Sequence, residues 1–239
     1  MINFAGRVLS PILNPHLTLA FILGITCLRC GITPTASIAA YGDSVTWGYG
    51  GLPGGWVDAL ANRSGYEISD LAIPGEKVDG GVSRIDNALA TVPGARVVIL
   101  LHGGNDWIQT FRGDPCRSGC DPSTVDAAYV AIGRSLTKIR DRVHSQGKRV
   151  VFATYWPSSP TACKNYDAPG FKLYQAHLTR LNAETIKIAE ELGNPIVRLD
   201  ELGAIAANPE NYFDCLHPSR QGYEMLADHW VQNEDKWAP

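Results

Sequence analysis

Four short blocks carry the residues whose types and spacing could do chemistry. Gly42-Asp43-Ser44 directly follows a short apolar run, and Gly42 lets the chain turn sharply enough for Ser44 to present its hydroxyl. Gly48 and Gly50 keep the next loop open. The plain alternative is a strand-to-helix turn in which Ser44 only caps a helix. The segment is not the G-x-S-x-G elbow, because Thr46 stands where the second glycine is required. Asp214-Cys215-Leu216-His217-Pro218 lies near the C-terminus. A serine hydroxyl is a poor nucleophile until a base takes its proton, and imidazole is the side chain that ordinarily titrates near neutral pH. A carboxylate three residues away can hold that imidazole in the productive tautomer and stabilise its cation. Pro218 biases His217 away from helix. Alone, Asp-x-x-His is a common surface pair.

The other two blocks could supply hydrogen-bond donors. Acyl transfer needs donors aimed at a developing oxyanion. In His102-Gly103-Gly104-Asn105-Asp106 two glycines bring the backbone close to whatever sits there, and Asn105 offers an amide. In Ile73-Pro74-Gly75-Glu76 the backbone N–H of Gly75 is unencumbered. The plain alternatives are a Gly-rich turn with a left-handed Asn and a type II turn glycine.

The elements around these blocks alternate. Strands are expected at residues 37–41 (SIAAY), 66–71, 96–101 (RVVILL), 149–154 (RVVFAT) and 195–199. Run 96–101 is continuously apolar and β-branched, as expected for a strand buried on both faces. Helices are expected at 55–62, 78–91, 123–146, 171–192 and 220–237. The third has Val125, Tyr129, Ile132, Leu136, Ile139 and Val143 at helical spacing, Asp121-Pro-Ser as a start and Gly147 as a stop. Strict alternation predicts a parallel sheet with helices on both faces, whose ligands bind beyond the carboxyl ends of the strands. The chemical blocks fall at those ends. Trp47, Tyr49, Trp107, Tyr155 and Trp156 also follow strands; they either line the crevice or pack beneath its loops.

The first 36 residues differ from the rest. They hold no Asp or Glu and two Arg, Arg7 and Arg29, and an apolar run spans Leu17 to Ile25. That is the pattern of a secretory signal peptide, too short for a membrane span and spoiled for a longer one by Pro11, Asn14, Pro15 and His16. The domain then runs from 37 to 239. Its loss of the leader leaves 19 Lys+Arg against 24 Asp+Glu, with no basic stripe for nucleic acid. It also leaves Cys116, Cys120, Cys163 and Cys215, an even number suited to an oxidising compartment. Of three connectivities, Cys116–Cys120 and Cys163–Cys215 is the expected one: the first closes a turn-rich loop, and the second ties the loop after a central strand to the loop carrying His217. No metal-ligand spacing accompanies them.

Together the blocks resemble the SGNH, or GDSL-type, serine esterase/lipase hydrolases: Ser in a G-D-S block, then Gly, then Asn in a G-x-N-D block, then D-x-x-H near the C-terminus. The resemblance spans the domain after the leader. One position departs, since the second block often begins with Asn where this chain has Asp70. The resemblance implies a flavodoxin-like three-layer α/β/α fold with a five-stranded parallel sheet in the order 2-1-3-4-5. It implies Ser44 as nucleophile, His217 as base and Asp214 as its orienter, with an oxyanion hole from the N–H groups of Ser44 and Gly75 and the Asn105 amide. Such a secreted or periplasmic esterase needs neither a metal nor an organic cofactor. Its substrate would be a small-molecule, polysaccharide or lipid ester, short-chain acyl or acylated carbohydrate esters foremost; no wide apolar lid suggests a true lipase. A thioesterase or lysophospholipase with the same site, a non-catalytic carbohydrate-binding module and a flavodoxin-like electron carrier are the rival readings.

Overall fold

The computed structural model describes residues 37–51, 54–112 and 122–239. Five strands form one parallel sheet: β1 (Ile38–Gly42), β2 (Ile68–Asp70), β3 (Val97–Leu101), β4 (Arg149–Ala153) and β5 (Ile196–Val197). Their order is β2-β1-β3-β4-β5, the order that the family resemblance implies. Register is set along the central pair, where Ile38 faces Val97 and Gly42 faces Leu101. All five residues of β3 (VVILL) are buried, so the strand that read as continuously apolar is covered on both faces. The edge strands are shorter and less buried; β2 holds three residues and β5 two.

The helices are α1 (Ser44–Trp47), α2 (Gly55–Ser64), α3 (Val78–Ala90), α4 (Gly104–Arg112), α5 (Pro122–Ser145), α6 (Ala168–Glu191), α7 (Gly203–Ala207), α8 (Arg220–Gln232) and α9 (Glu234–Trp237). Helices α2 and α8 pack on each other, with Trp56 and Trp230 stacked at 5.1 Å between centroids; α3, α5 and α6 form the second layer. Burying rings of that size supplies much of the apolar driving force of a core.

Several boundaries differ from the sequence expectation. Helix α6 starts at Ala168, three residues early. Asp167 caps it by accepting the Gly170 N–H at 2.8 Å, and Pro169 fits the first turn, where a missing N–H costs nothing. The last helix breaks at Asn233 into α8 and α9. Helices α1, α4 and α7 were not expected, because each begins at a Ser or Gly that reads locally as a turn. Gly147 does stop α5, with φ +70°. The proposed leader, Asp121 and the pair Cys116 and Cys120 lie outside the described residues. Cys163 and Cys215 are joined in a disulfide, with Cα atoms 4.4 Å apart.

Candidate active site

Sheet order explains why distant blocks meet. The Gly75 turn follows β2, Ser44 follows β1 and Asn105 follows β3, and these are three neighbouring strands. All three blocks therefore emerge side by side at the carboxyl ends of neighbouring strands. Gly42 is required by close approach: a Cβ there would lie 2.1 Å from the Leu101 carbonyl oxygen and 2.3 Å from Thr46 Oγ1. Ser44 is the first residue of α1 and does not cap it. Asp43 is the cap, its Oδ1 accepting the Val45 N–H at 3.1 Å. The Ser44 hydroxyl, on a residue only 8% exposed, instead lies 2.9 Å from His217 Nε2.

His217 sits on a loop between a 3₁₀ turn (Pro209–Asn211) and α8. Its Nδ1 is 2.9 Å from Asp214 Oδ2. Asp214 Oδ1 also accepts the backbone N–H groups of Leu216 at 2.8 Å and His217 at 2.7 Å. Burial works to raise the Asp214 carboxyl, but the His217 ring and these N–H groups win and hold it below the ordinary carboxylate range. An ionised Asp214 keeps the proton on Nδ1 and turns the Nε2 lone pair toward Ser44. The loop has its own fastenings. The Phe213 N–H donates to the His217 carbonyl at 2.9 Å, Tyr174 donates to the Cys215 carbonyl at 3.0 Å, and the disulfide fixes Cys215 itself.

The donor blocks are also built. Leu71 and Ile73 N–H groups donate to the Ala40 and Gly42 carbonyls at 2.8 and 3.1 Å, so the chain beyond β2 keeps pairing with β1 up to the serine. There it turns. Glu76 N–H donates to the Ile73 carbonyl at 3.1 Å, Pro74 takes the second position and Gly75 the third with φ +79°. Nothing lies within 4 Å of where a Gly75 Cβ would be, so this glycine is needed for its left-handed backbone. Asp70, the departure noted above, accepts the Ala72 N–H at 2.9 Å, a task an Asn side-chain oxygen performs equally. Asn105, the second residue of α4, donates one amide hydrogen to the Glu76 carbonyl at 3.0 Å and keeps a second.

One network escaped sequence reasoning. Asp43 Oδ2 accepts from the Tyr155 hydroxyl at 2.7 Å and from the Gly104 N–H at 3.2 Å, and the Gly104 N–H also reaches the Tyr155 oxygen at 2.9 Å. Burial first, then the Asp43 charge, pushes the Tyr155 phenol well above its ordinary value, so it stays a donor. The network ties the serine block to the asparagine block from below. Its one local signal was an acidic residue between an apolar strand and the serine.

The aromatic residues divide. Trp107, Tyr155 and Trp156 are buried beneath the loops. Trp47 and Tyr49 are each 45% exposed, and Phe213, which drew no attention in the sequence, is 59% exposed. The Tyr49 ring lies 4.7 Å from the His217 ring, and Phe213 meets Tyr49 edge-on at 5.8 Å. No group of three His, Cys, Asp or Glu able to hold a metal ion occurs among the described residues.

A serine bonded to a carboxylate-held imidazole, with a left-handed glycine and a side-chain amide following the two neighbouring strands, is a constellation suited to acyl transfer. The sequence pattern of the GDSL-like Lipase/Acylhydrolase family matches residues 40–225, which include all four blocks. The chain belongs to this family. Solved structures share its fold at low identity. A GDSL-like lipase from Parabacteroides merdae ATCC 43184 matches with TM-score 0.65 and 17% identity, over 84% of this chain and 96% of that one. The psychrotrophic esterase EstA from Pseudoalteromonas sp. matches with TM-score 0.57 and 20% identity, over 84% and 97%. The acetyl xylan esterase AlAXEase matches with TM-score 0.61 and 16% identity, over 82% and 98%. No protein of curated function matches the sequence. Among the described residues no helix is long and apolar enough to cross a membrane.

Proposed function

We propose that this GDSL-type hydrolase is an exported serine esterase that works through an acyl-enzyme on short-chain acyl esters, acylated carbohydrates foremost. The observation that carries the reading is the unbroken chain from Ser44 Oγ to His217 Nε2 and from His217 Nδ1 to Asp214 Oδ2, each link 2.9 Å. His217 takes the Ser44 proton as the hydroxyl attacks the ester carbonyl. The N–H groups of Ser44 and Gly75 and the free Asn105 amide hydrogen stabilise the oxyanion. The alcohol leaves with the proton from His217, and water, activated by the same imidazole, releases the acid. Asp214 stays ionised throughout and steadies the imidazolium.

Three features support the substrate class and the export. Trp47, Tyr49 and Phe213 offer exposed rings beside the serine and the histidine, and flat rings stack on sugars and aryl groups. One protein of the same fold is an acetyl xylan esterase. The Cys163–Cys215 disulfide suits an oxidising compartment, as does an apolar leader of 36 residues cleaved to give a domain from 37 to 239. The test is direct. A fluorophosphonate should label the wild-type chain at Ser44 and leave Ser44→Ala unlabelled, and nitrophenyl acetate should be cleaved faster than longer-chain esters. An unlabelled wild-type protein would favour a non-catalytic carbohydrate binder.

A further inference from the structure

Beside the two oxyanion-donor segments lies a partly buried ionic cluster for which the reaction above has no use. Glu76 follows Gly75 directly. Its carboxylate accepts from Arg84 Nε at 2.8 Å and Nη2 at 2.6 Å, a two-pronged pair, and lies 3.3 Å from His102 Nε2. The Glu76 side chain is 9% exposed and that of His102 is 0% exposed. His102 Nδ1 accepts the Gly103 N–H at 2.9 Å, so the ring proton resides on Nε2 and points at Glu76. Burial would raise the Glu76 carboxyl, but Arg84 and His102 overcome it and hold it at about 2. The fork is held in turn: the Arg84 guanidinium lies over the Tyr41 ring of β1 at 4.4 Å. Gly81 of α3 is bare where a Cβ would come within 2.8 Å of His102 Nε2.

Three parts of Glu76 bear on the two donors. Its N–H closes the turn that presents Gly75. Its carbonyl takes one hydrogen of the Asn105 amide and so aims the other. Its carboxylate reaches His102, three residues before Asn105 and just ahead of α4. We infer that Glu76 is a positioning residue of the oxyanion hole, clamped by Arg84 and His102 so that the Gly75 N–H and the Asn105 amide keep one fixed spacing. This rests on the reading of Gly75 and Asn105 as oxyanion donors. A buried charge with both partners in place is costly to disturb, which is what a clamp between two loops requires.

The experiment is a double-mutant cycle on the full chain, with nitrophenyl acetate as substrate. Glu76→Gln should lower kcat about tenfold while KM moves less than about twofold. In an Asn105→Ala background the same change should lower kcat by no more than about threefold, because the amide it aims is gone. The melting temperature should drop equally in both backgrounds. Glu76→Asp, which keeps the charge, should recover part of the loss. An equal kcat loss in both backgrounds would mark a merely structural role and overturn the inference, as would an unchanged kcat. Asn105→Ala with wild-type kcat would remove the oxyanion reading itself, and this inference with it. If Glu76→Gln does not fold, Arg84→Gln enters the same cycle with the same outcomes.

Discussion

The two halves of the site are held in place by different physics. Ser44 stands at the end of β1, between two paired neighbours in the sheet. Every residue of that strand is buried, and Asp43, Tyr155 and Gly104 lock the turn from below. His217 and Asp214 stand on a loop that belongs to no strand. That loop is tied by one disulfide, by the Tyr174 bond to the Cys215 carbonyl and by a single bridge between Tyr212 and Pro218. Ser44 is placed by the same burial that makes the fold; His217 is placed by local fastenings added to it. Damage to the first should therefore cost the whole domain, and damage to the second should cost the reaction first.

The largest effect tests the meeting of the halves. Ser44→Ala or His217→Ala should lower kcat at least about 10⁴-fold with the fold intact, measured by steady-state ester hydrolysis beside far-UV circular dichroism. Comparable activity in either variant would mean that the two halves do not act together. Next comes the loop's own tether. A disulfide closing a segment of 52 residues is worth about 4 kcal/mol in the chain-entropy account. Cys163→Ala should lower the melting temperature accordingly. At 25 °C, where the sheet still holds, it should also lower kcat by about tenfold or more as Asp214 and His217 lose their fixed approach to Ser44. Equal kcat in the variant and the wild type would show that the sheet-side contacts alone place the base.

How the halves are built also decides what the sequence could reveal. Strand β3 was readable because burial on both faces imposes an unbroken apolar run, and the 2-1-3-4-5 order followed from the resemblance carried by the four blocks. Ser44, His217 and Asp214 were picked out because each sits in a short block with its own local logic, and the fold brings the three together. The Asp43–Tyr155 bond was not, since it joins positions 112 residues apart that no periodicity relates. The Glu76–Arg84 pair, eight residues apart, carried no local signal of its contact with His102, which lies on another strand end. Helix α4 was hidden because Gly103-Gly104 is a turn signal, and the buried Trp107 that anchors the helix looked equally suited to the crevice. The Cys163–Cys215 pairing was one of three possibilities and came from where the two loops lie.

Acid should separate the halves. A general base acts only while unprotonated, so hydrolysis should fall with acid. Asp214, held low, stays ionised as the pH first falls. The fold follows later. A carboxyl depressed in the folded state contributes stability above its unfolded value and loses it as pH falls through its folded value. Glu76, lowered from 4.5 to about 2, therefore contributes about 3 kcal/mol at neutral pH, and this should be lost between about pH 4.5 and 2. A pH titration recording ester hydrolysis and tryptophan fluorescence together should show activity disappearing before the core opens. Coincident transitions would mean that the loop and the sheet share one fate.

The smallest effect probes the mouth and leaves both halves in place. Trp47 lies one turn beyond Ser44 and is 45% exposed, so little core is lost on truncating it. Trp47→Ala should leave the melting temperature within about 1–2 °C and kcat on nitrophenyl acetate nearly unchanged, since surface substitutions away from packed features are usually small. If the exposed rings stack on a sugar, KM for an acetylated oligosaccharide should rise about fivefold or more, because uniform binding lost from a contact remote from the carbonyl appears in KM. An oligosaccharide KM unchanged from wild type would confine recognition to the acyl group and to the residues beside His217.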